Sequence, residues 1–404
     1  MSSTIKKNIN QEEQDAGQEG RTGIEYQRII RMVYIDNIYK GLLVFPLIAV
    51  VFTLPYAVFQ YNRYGSVSKY RTLIIYSFIL YMLIAFFMVI LPLPDRASTA
   101  GNTWQEHLNL IPFRQIWLYW HDKVFGIKTL KEYLVSMSLW QLLFNILLTV
   151  PFGVYMRYYF KLSLKRTILY SFLLSLFYET TQITALFGIY PGPYRLADVE
   201  DLICNTMGGA GGYYIASVFA GVLPSRDEID ETCRAHGTRV SGMRRAWAAL
   251  FDYVCIAALY IFMLGAIREL NPGFTEYTIY GEVYSWSFFC ITSLVQVLIT
   301  KGSTLGHAAC RVILVSEDGS MASVGQLIKR YLYLWLFTEL PLIMAGQLMN
   351  ARFAFIVDVM ILLLLFISRI YFFIYFINVV LRKGKLMPHD TLSRTLYMAT
   401  EIPD

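Results

Sequence analysis

The sequence predicts an all-α polytopic membrane protein, with about nine transmembrane helices arranged in two helical modules. Two features of composition support this prediction. Of the 404 residues, 56% are hydrophobic and only 16% are charged, whereas soluble domains carry about 25% charged residues. A further observation is a series of apolar runs of about 17–25 residues, which is the length of a helix that crosses a bilayer. We therefore expect a multi-pass protein of the cell (plasma) membrane.

Polar connections, including a long outer segment over residues 95–132, separate the apolar runs. Each run is therefore predicted to form its own membrane-spanning helix. The first run is short and contains Pro46 and Pro55, which leaves two alternatives, a kinked span or a re-entrant segment. The predicted spans cover residues 41–60, 73–93, 139–157, 167–189, 199–223, 247–267, 283–300, 331–349 and 353–380.

The charges of the connections predict the orientation, because cytoplasmic loops of membrane proteins are enriched in Lys and Arg. Connections 190–198 and 268–282 are poor in these residues. The basic connections are predicted to be cytoplasmic, together with the C-terminus. With nine spans, this arrangement places the N-terminus outside. The basic stretches are residues 63–71, 157–166, 224–245, 301–330 and 382–385.

The stretch 224–243 marks a boundary, because it is polar, carries charges of both signs and contains Gly237 and Gly242. Such a composition is typical of a linker, here predicted to be cytoplasmic. The predicted organisation is a polar N-terminal segment (1–40), a first transmembrane module (41–223), the linker (224–243), a second transmembrane module (244–395) and a C-terminal tail (396–404).

Several functional classes are disfavoured by composition. The formal net charge of +6 is explained by cytoplasmic loops, and no basic patch is interleaved with stacking aromatic residues, so no nucleic-acid partner is expected. The five cysteines include no CxxC pair, which argues against a disulfide framework or a zinc site. No cofactor and no metal are predicted.

Residues 194–212, YRLADVEDLICNTMGGAGG, place polar side chains at the entrance of an apolar segment. Asp198, Asp201 and Asn205 are spaced i, i+3, i+7 and share one helix face. Polar groups that enter lipid are costly and persist mainly where they pair or act on a ligand. Together with polar residues of neighbouring segments they predict an outward-facing polar pocket. Its predicted members are Asn109, Arg114, Asn145, Glu179, Gln182, Arg195, Asp198, Asp201 and Asn205.

The alternative interpretation is that these residues only pair with one another and hold the helices together. Under either interpretation we expect an Arg195 nitrogen within about 4 Å of a carboxylate of Asp198, Asp201 or Glu179. The alternative interpretation also pairs Asn145 with Glu179 by a hydrogen bond. The glycines that follow are predicted to form a close-packing surface, since the lysine of a phosphate loop is missing. They are Gly208, Gly209, Gly211 and Gly212.

Four motifs in this order resemble the VanZ-like family: NLIPFRQIW, FNILLTVPFG, FYETTQ and YRLADVEDLICNTMGG. The resemblance covers residues 70–223, and the nine pocket residues lie at its motif positions. The family takes its name from a protein associated with teicoplanin resistance in Gram-positive bacteria. The resemblance therefore implies a role in the cell envelope and supplies no established reaction.

The second module resembles the RDD family through RRAWAALFD, KGSTLGHAACRVILVSEDG and HDTLSRT. The arginine and the two aspartates of the family name correspond to Arg245, Asp252 and Asp390. Where the family often has lysine after the TLG turn, this chain has His307. Two interpretations stay open, a salt-bridged structural cluster and an ion or proton site. The predicted cytoplasmic cluster comprises Arg245, Asp252, Thr304, Gly306, Arg330 and Asp390.

Glu339 and Arg369 lie near the middle of neighbouring predicted spans. A charge in the bilayer interior requires a partner, so these residues are predicted to form an intramembrane ion pair. Asp358 lies nearer the outer end of its span, where it can reach the interface.

Three functions are weighed. The first is a non-enzymatic envelope protein that binds a lipoglycopeptide antibiotic, a membrane lipid or a lipid-linked wall precursor. The second is a secondary transporter or a cation/proton exchanger, which would use the buried acidic residues. The third is an enzyme that acts on a lipid head group with Asp198, Asp201 or Glu179 as acid or base. It is the least favoured, because no nucleophile–base pair stands out near His107 or His121.

Overall fold

The computed structural model describes residues 35–114, 137–219, 224–271, 278–350 and 386–401, and the single positions 359, 360, 363, 373 and 377. The described residues are mostly helical. They divide into two compact units. Unit 1 comprises Met1–Ala49 and Tyr70–Glu228, and unit 2 comprises Val50–Lys69 and Ile229–Asp404.

The first described helix, α1 (Ile35–Tyr64), continues through both Pro46 and Pro55. Its 30 residues correspond to about 45 Å, and the hydrocarbon core of a bilayer is about 30 Å thick. Residues 41–60 therefore belong to a helix long enough to span, and the re-entrant alternative does not fit them.

In unit 1, two very short strands connect segments that are far apart in the sequence. β1 and β2 pair in parallel, with Leu108 opposite Ala197 and Asn109 opposite Asp198. This pairing brings the NLIPF motif beside the start of the YRLAD motif. The first part of α1, to Ala49, belongs to unit 1, and the rest belongs to unit 2. The other elements of unit 1 are α2 (Lys69–Ile90), a 3-10 turn (Arg96–Thr99), β1 (Leu108–Asn109), α3 (Met137–Tyr158), α4 (Leu164–Ile183), α5 (Ala185–Gly188), β2 (Ala197–Asp198) and α6 (Val199–Phe219).

Glycines of α6 allow it to pack closely against α3 and α4. A Cβ atom on Gly208 would overlap the carbonyl oxygen of Ile146, and one on Gly212 would overlap that of Val150. A Cβ atom on Gly209 would overlap the hydroxyl of Ser171 on α4. The predicted close-packing surface is confirmed for these three glycines, which we call the glycine seam. Gly211 lies off the seam, since nothing approaches within 4 Å of its Cβ position.

Among the described residues, four helices are long and apolar enough to cross a membrane. They are α1, α2, α3 and α8 (Gly242–Leu270). Many of their apolar side chains are exposed, for example Leu147 on α3 and Phe262 on α8, as expected for lipid-facing surfaces. α4 and α6 have 20 and 21 residues and are long enough to span, but each carries polar residues. The structure thus supports a multi-pass membrane protein, and it does not establish a count of nine spans.

Unit 2 combines helices with a small antiparallel sheet. β3 and β4 pair from Val312 opposite Ala399 to Ser316 opposite Thr395. The prediction of an all-α fold therefore misses two two-stranded sheets, although most of the described chain is helical. The remaining elements are α7 (Arg226–Gly237), α8, α9 (Thr278–Thr300), α10 (Leu305–Ala309), β3 (Val312–Ser316), α11 (Val324–Asn350), α12 (Pro388–Ser393) and β4 (Thr395–Ala399).

The core of unit 2 consists of apolar side chains around this sheet. Leu314 of β3 packs with Val297, Leu327 and Tyr331 from α9 and α11. The stretch 224–243, predicted as a linker, contains α7, whose Ile229 is buried. The sheet and α7 were not anticipated because each is short and lies next to long apolar runs.

The glycine seam gives a direct test. Gly212→Val should destabilise the protein by at least about 1–3 kcal/mol, since overpacking a tight contact forces the backbones apart. Gly211→Val is the matched control, because it makes the same change one residue away in open space. Thermal unfolding of the full chain in detergent measures the difference. Equal melting temperatures for the two variants would show that the seam is not needed for stability.

Candidate functional site

Four carboxylates gather where β2 leads into α6, and we call Glu179, Asp198, Glu200 and Asp201 the acidic site. Asp198 is the most completely bonded of them. Its Oδ2 accepts from Nδ2 of Asn109 at 2.9 Å, and its Oδ1 accepts from the backbone N–H of Glu200 at 2.9 Å. The β1–β2 pairing places Asn109 opposite Asp198 and so makes the first of these bonds.

Glu179 and Asp201, the other two acids predicted from the sequence, form hydrogen bonds with different elements. Glu179 on α4 accepts at Oε2 from the backbone N–H of Asp198 at 2.9 Å. Asp201 accepts at Oδ1 from Nδ2 of Asn145 on α3. The expected bond between Asn145 and Glu179 is wrong, because the glycine seam places Asn145 next to α6. Elements α3, α4, β1, β2 and α6 thus all contribute to one polar cluster.

Asn205 lies one turn below Asp201 on α6 and is 3% exposed. Its Nδ2 donates to the hydroxyl of Ser175 at 2.9 Å, and Ser175 donates to the backbone carbonyl of Asp201 at 3.3 Å. Thr149 on α3 donates to the carbonyl of Asn205 at 2.7 Å. The shared face predicted for Asp201 and Asn205 therefore points into the contact with α3 and α4.

Arg195 does not form the predicted ion pair. Its two terminal nitrogens donate to the carbonyl oxygens of Val89 and Leu91, at 2.6 and 2.8 Å. Within the described chain, no salt bridge joins it to a carboxylate of the acidic site. The last carbonyls of a helix lack partners within the helix and carry a partial negative charge. Arg195 satisfies those at the end of α2 instead.

Gln182 and Arg114 also depart from the predicted pocket. Nε2 of Gln182 donates to the carbonyl of Val89 at 3.1 Å, so Gln182 and Arg195 both cap α2. Arg114 is exposed, and the described residues show no hydrogen bond from it to the acidic site.

Glu200 is the residue that sequence reasoning missed. It is buried in the first turn of α6 and falls outside the i, i+3, i+7 pattern used to find its neighbours.

Burial is the largest electrostatic effect on Asp201, and repulsion by neighbouring acids comes next. Asp201 is repelled by Asp198 and Glu200, and Arg195 attracts it more weakly. Over the part of the chain that the structure describes, no three His, Cys, Asp or Glu side chains have an arrangement that would hold a metal ion. The site is therefore a cluster of acidic side chains that is rich in hydrogen-bond acceptors.

The predicted cytoplasmic cluster separates into two bonded groups in unit 2. Asp252 on α8 accepts from the hydroxyl of Thr304 and, at 2.6 Å, from the backbone N–H of Gly306. Only glycine fits at position 306, because a Cβ atom there would overlap the carbonyl oxygen of Ala248. Asp252 thus holds the start of α10 against α8.

Asp390 is the centre of the second group and is fully buried. Its Oδ1 pairs with Arg330, and its Oδ2 pairs with Arg245 at 3.4 Å and accepts from the backbone N–H of Met387 at 2.9 Å. Arg330 also donates to the hydroxyls of Thr395 and Tyr397. These contacts fit the predicted salt-bridged structural cluster.

Tyr397 is a further member of this group that the motifs did not reveal, and Arg244, the first residue of the motif RRAWAALFD, binds backbone carbonyls nearby. The guanidinium groups of Arg245 and Arg330 lie 5.3 and 4.9 Å from the ring centroid of Tyr397, within the range of cation–π attraction. Arg244 is buried and donates to the carbonyls of Cys310, Gly237 and Arg311. Tyr397 lies on β4, in the segment predicted to be a tail.

His307 replaces the family's common lysine and acts here as a neutral cap. Its backbone N–H donates to the Thr304 hydroxyl at 3.1 Å, and its Nδ1 accepts from the backbone N–H of Thr304 at 3.4 Å. Burial, and then the charge of Arg330, lower the pKa of His307 to about 3. A cationic role at this position is therefore not supported near neutral pH.

The remaining predicted pair lies outside what the structure describes. Arg369 and Asp358 fall among the residues that are not described, and the side chain of Glu339 is not described either. The Glu339–Arg369 ion pair stays a prediction.

We call the side chains bonded to Asp390 the Asp390 network. Its titratable groups predict that the folded protein loses stability in acid. Burial, and then Arg330, lower the pKa of His389 to about 4 from 6.5. Burial alone would raise the pKa of Asp390, but the charge of Arg330 holds it below its ordinary 3.8. Between pH 6.5 and 4 the unfolded chain binds more protons on His389 than the folded chain does, so stability falls as the pH falls. Below about pH 4, Asp390 adds a further loss.

We expect the free energy of unfolding to drop by about 2 kcal/mol between pH 6.5 and 4 from His389 alone. His389→Gln, which retains an N–H donor beside Asp390, should reduce this drop. His236→Gln changes an exposed histidine of α7 and serves as the control. Denaturant unfolding of the full chain in detergent at several pH values measures the effect. The same pH dependence in His389→Gln and in the wild type would contradict the assignment.

The comparisons with known proteins agree with both resemblances. The family model described as VanZ/LLP1 matches residues 78–220, and the model described as RDD family matches residues 239–394. No curated protein and no solved structure matches the chain. The acidic site lies within the first match and the Asp390 network within the second. The chain therefore carries a VanZ/LLP1 domain followed by an RDD domain, and both predicted family assignments are confirmed.

Proposed function

We propose that this protein is a non-enzymatic component of the bacterial cell envelope, in a Gram-positive organism, that binds an amphiphilic ligand at the acidic site. The ligand would be a teicoplanin-type lipoglycopeptide or a lipid-linked wall precursor. The observation that carries the proposal is the convergence of five elements of the VanZ/LLP1 domain on one charged cluster. A purely structural cluster would balance its charges, whereas this one brings carboxylates together without a salt bridge among the described residues.

The orientation is part of this proposal. The connection between α3 and α4 and the adjoining helix ends carry Arg157, Lys161, Lys165 and Arg166. This basic stretch is assigned to the cytoplasm by the preference of basic loops for that side. The acidic site lies at the opposite ends of α4 and α6, which then face outside. The C-terminus falls on the cytoplasmic side in the same scheme.

Binding is favoured over catalysis by the contacts of the acids. Asp198 and Asp201 are hydrogen-bonded to asparagine amides, and Glu179 to a backbone N–H. An acid–base catalyst needs a proton-transfer partner within hydrogen-bond reach. Within the described part of the acidic site, no serine, threonine or histidine side chain is hydrogen-bonded to these three carboxylates.

A secondary transporter is the second candidate, and one observation favours it. Buried polar side chains follow one side of α4 along its length, and a polar path of this kind could carry an ion or a proton. The glycine seam closes this path in the present structure, because Ser171 packs directly against Gly209. The stripe consists of Thr167, Ser171, Ser175, Glu179 and Gln182.

Expression in a susceptible Gram-positive host tests the proposal. The protein should raise tolerance to teicoplanin more than to vancomycin, because the acyl chain of teicoplanin can enter the membrane beside the site. Asp198→Asn with Asp201→Asn should abolish the effect at equal membrane abundance. Glu269→Gln with Glu317→Gln removes two exposed carboxylates elsewhere and should keep it. Minimum inhibitory concentrations measure the outcome.

Two results would contradict this proposal. Unchanged tolerance in the double aspartate variant would separate the phenotype from the acidic site. If the wild type confers no tolerance but drives ion flux in vesicles, and Glu179→Gln abolishes that flux, the transporter is the better account.

The orientation has its own test in a cysteine-free background. Gly101→Cys, where a side chain meets nothing within 4 Å, should react with an impermeant maleimide in intact cells. Lys165→Cys, which is exposed at the start of α4, should react only after lysis, because basic connections remain cytoplasmic. Labelling of Lys165→Cys in intact cells would reverse the orientation.

A further inference from the structure

Two buried oxygens, one in the acidic site and one beside it, lack hydrogen-bond partners among the described residues. Asn205, 3% exposed, uses its amide nitrogen on Ser175, but its Oδ1 has no partner among the described residues. Glu200 is 8% exposed, and its Oε2 also has none. These residues lie within about one turn of Asp201 on α6.

A buried acceptor without a donor costs about 1–3 kcal/mol, and more when it is charged. Two such groups near Asp201, on different faces of α6, favour a ligand that supplies hydrogen-bond donors. A group that is only an acceptor, such as a fully ionised phosphate, would leave both oxygens unsatisfied.

The charge of the site points the same way. The terminal nitrogens of Arg195 are committed to carbonyl oxygens of α2, and Asp198 and Glu200 repel Asp201. A positive group bound among these carboxylates relieves the repulsion, whereas an anionic group increases it. The preferred group is therefore both a cation and a hydrogen-bond donor.

The surroundings of the site are apolar. Leu108 and Leu110 flank Asn109 and are exposed, as is Leu196 beside the strand that carries Asp198. Exposed leucines on and beside these two short strands can contact an acyl chain. The ligand that fits both features has a charged head and an apolar tail.

We propose that the acidic site binds the primary ammonium group of an amphiphile. Such a group carries one positive charge and three N–H donors, which suit Glu200, Asn205 and the neighbouring carboxylates. The amphiphile is an aminolipid or an amine-bearing lipoglycopeptide. The inference rests on the proposed function, since it names the chemistry recognised at the same site. It also implies that the pyrophosphate of a lipid-linked precursor is not the group held there.

Calorimetric titration of the full-length protein in phosphatidylcholine nanodiscs tests the inference, at about pH 8 where a primary alkylammonium group is still charged. Octylammonium should bind at least about tenfold more tightly than octyltrimethylammonium, which keeps the charge but has no N–H donor. Octyl phosphate should show no binding at this site. Equal affinity for the two cations, or tighter binding of octyl phosphate, would overturn the proposal.

Variants locate the binding. Glu200→Gln removes a charge whose Oε2 makes no hydrogen bond in the structure, so it should fold normally and weaken octylammonium binding by about tenfold or more. Asp198→Asn with Asp201→Asn should abolish the binding. Glu269→Gln with Glu317→Gln, the same change of charge elsewhere, should leave it unchanged. Unaltered affinity in both site variants would overturn the proposal, and so would complete displacement of octylammonium by Mg²⁺ at equal concentration.

Competition identifies the source of the amine. Nanodiscs that contain phosphatidylethanolamine should weaken octylammonium binding if the ligand is an aminolipid, and added teicoplanin should do so if it is the antibiotic. If neither competes, the amphiphile assignment is wrong. Ammonium binding without antibiotic tolerance would reject the proposed function alone. Tolerance that depends on Asp198 and Asp201 without ammonium binding would reject this inference alone.

Discussion

The close approach of α6 to α3 is the constraint on which the VanZ/LLP1 site depends. Backbones can come this near only where a side chain is missing, and Gly208 and Gly212 provide that space against the carbonyls of Ile146 and Val150. Asn145 immediately precedes Ile146, so the same contact brings its amide to Asp201. A larger residue in the seam would separate the asparagine from the aspartate that it holds.

The need for hydrogen-bond partners explains how polar groups are tolerated at the ends of the helices. Lipid offers no hydrogen bonds, so every polar group near it must find a partner inside the protein. Arg195 and Gln182 meet this demand for the carbonyls at the end of α2. Asp390 does so in the RDD domain, where Arg245 and Arg330 surround it and Tyr397 lies beside both guanidinium groups.

Sequence patterns found the main contributors to both clusters but not always their partners. Periodicity placed Asp198, Asp201 and Asn205 together because spacing along one helix is a local property. The partner of Arg195 could not be found in this way. The competing acceptors, the carbonyls of Val89 and Leu91, belong to the backbone and have no sequence signature. Tyr397 was missed for a related reason, since its strand β4 gains its place only by pairing with β3, about eighty residues earlier in the sequence.

The two clusters differ in how completely they are satisfied, and this difference separates structure from function. The carboxylate of Asp390 has cationic or N–H partners at both oxygens, so it needs nothing from outside the protein. The acidic site keeps the unpartnered oxygens of Glu200 and Asn205 beside like charges. Folding alone gives no reason to retain such an arrangement, because replacing a carboxylate by an amide would remove the repulsion. The proposed binding of an ammonium group at the acidic site rests on this arrangement.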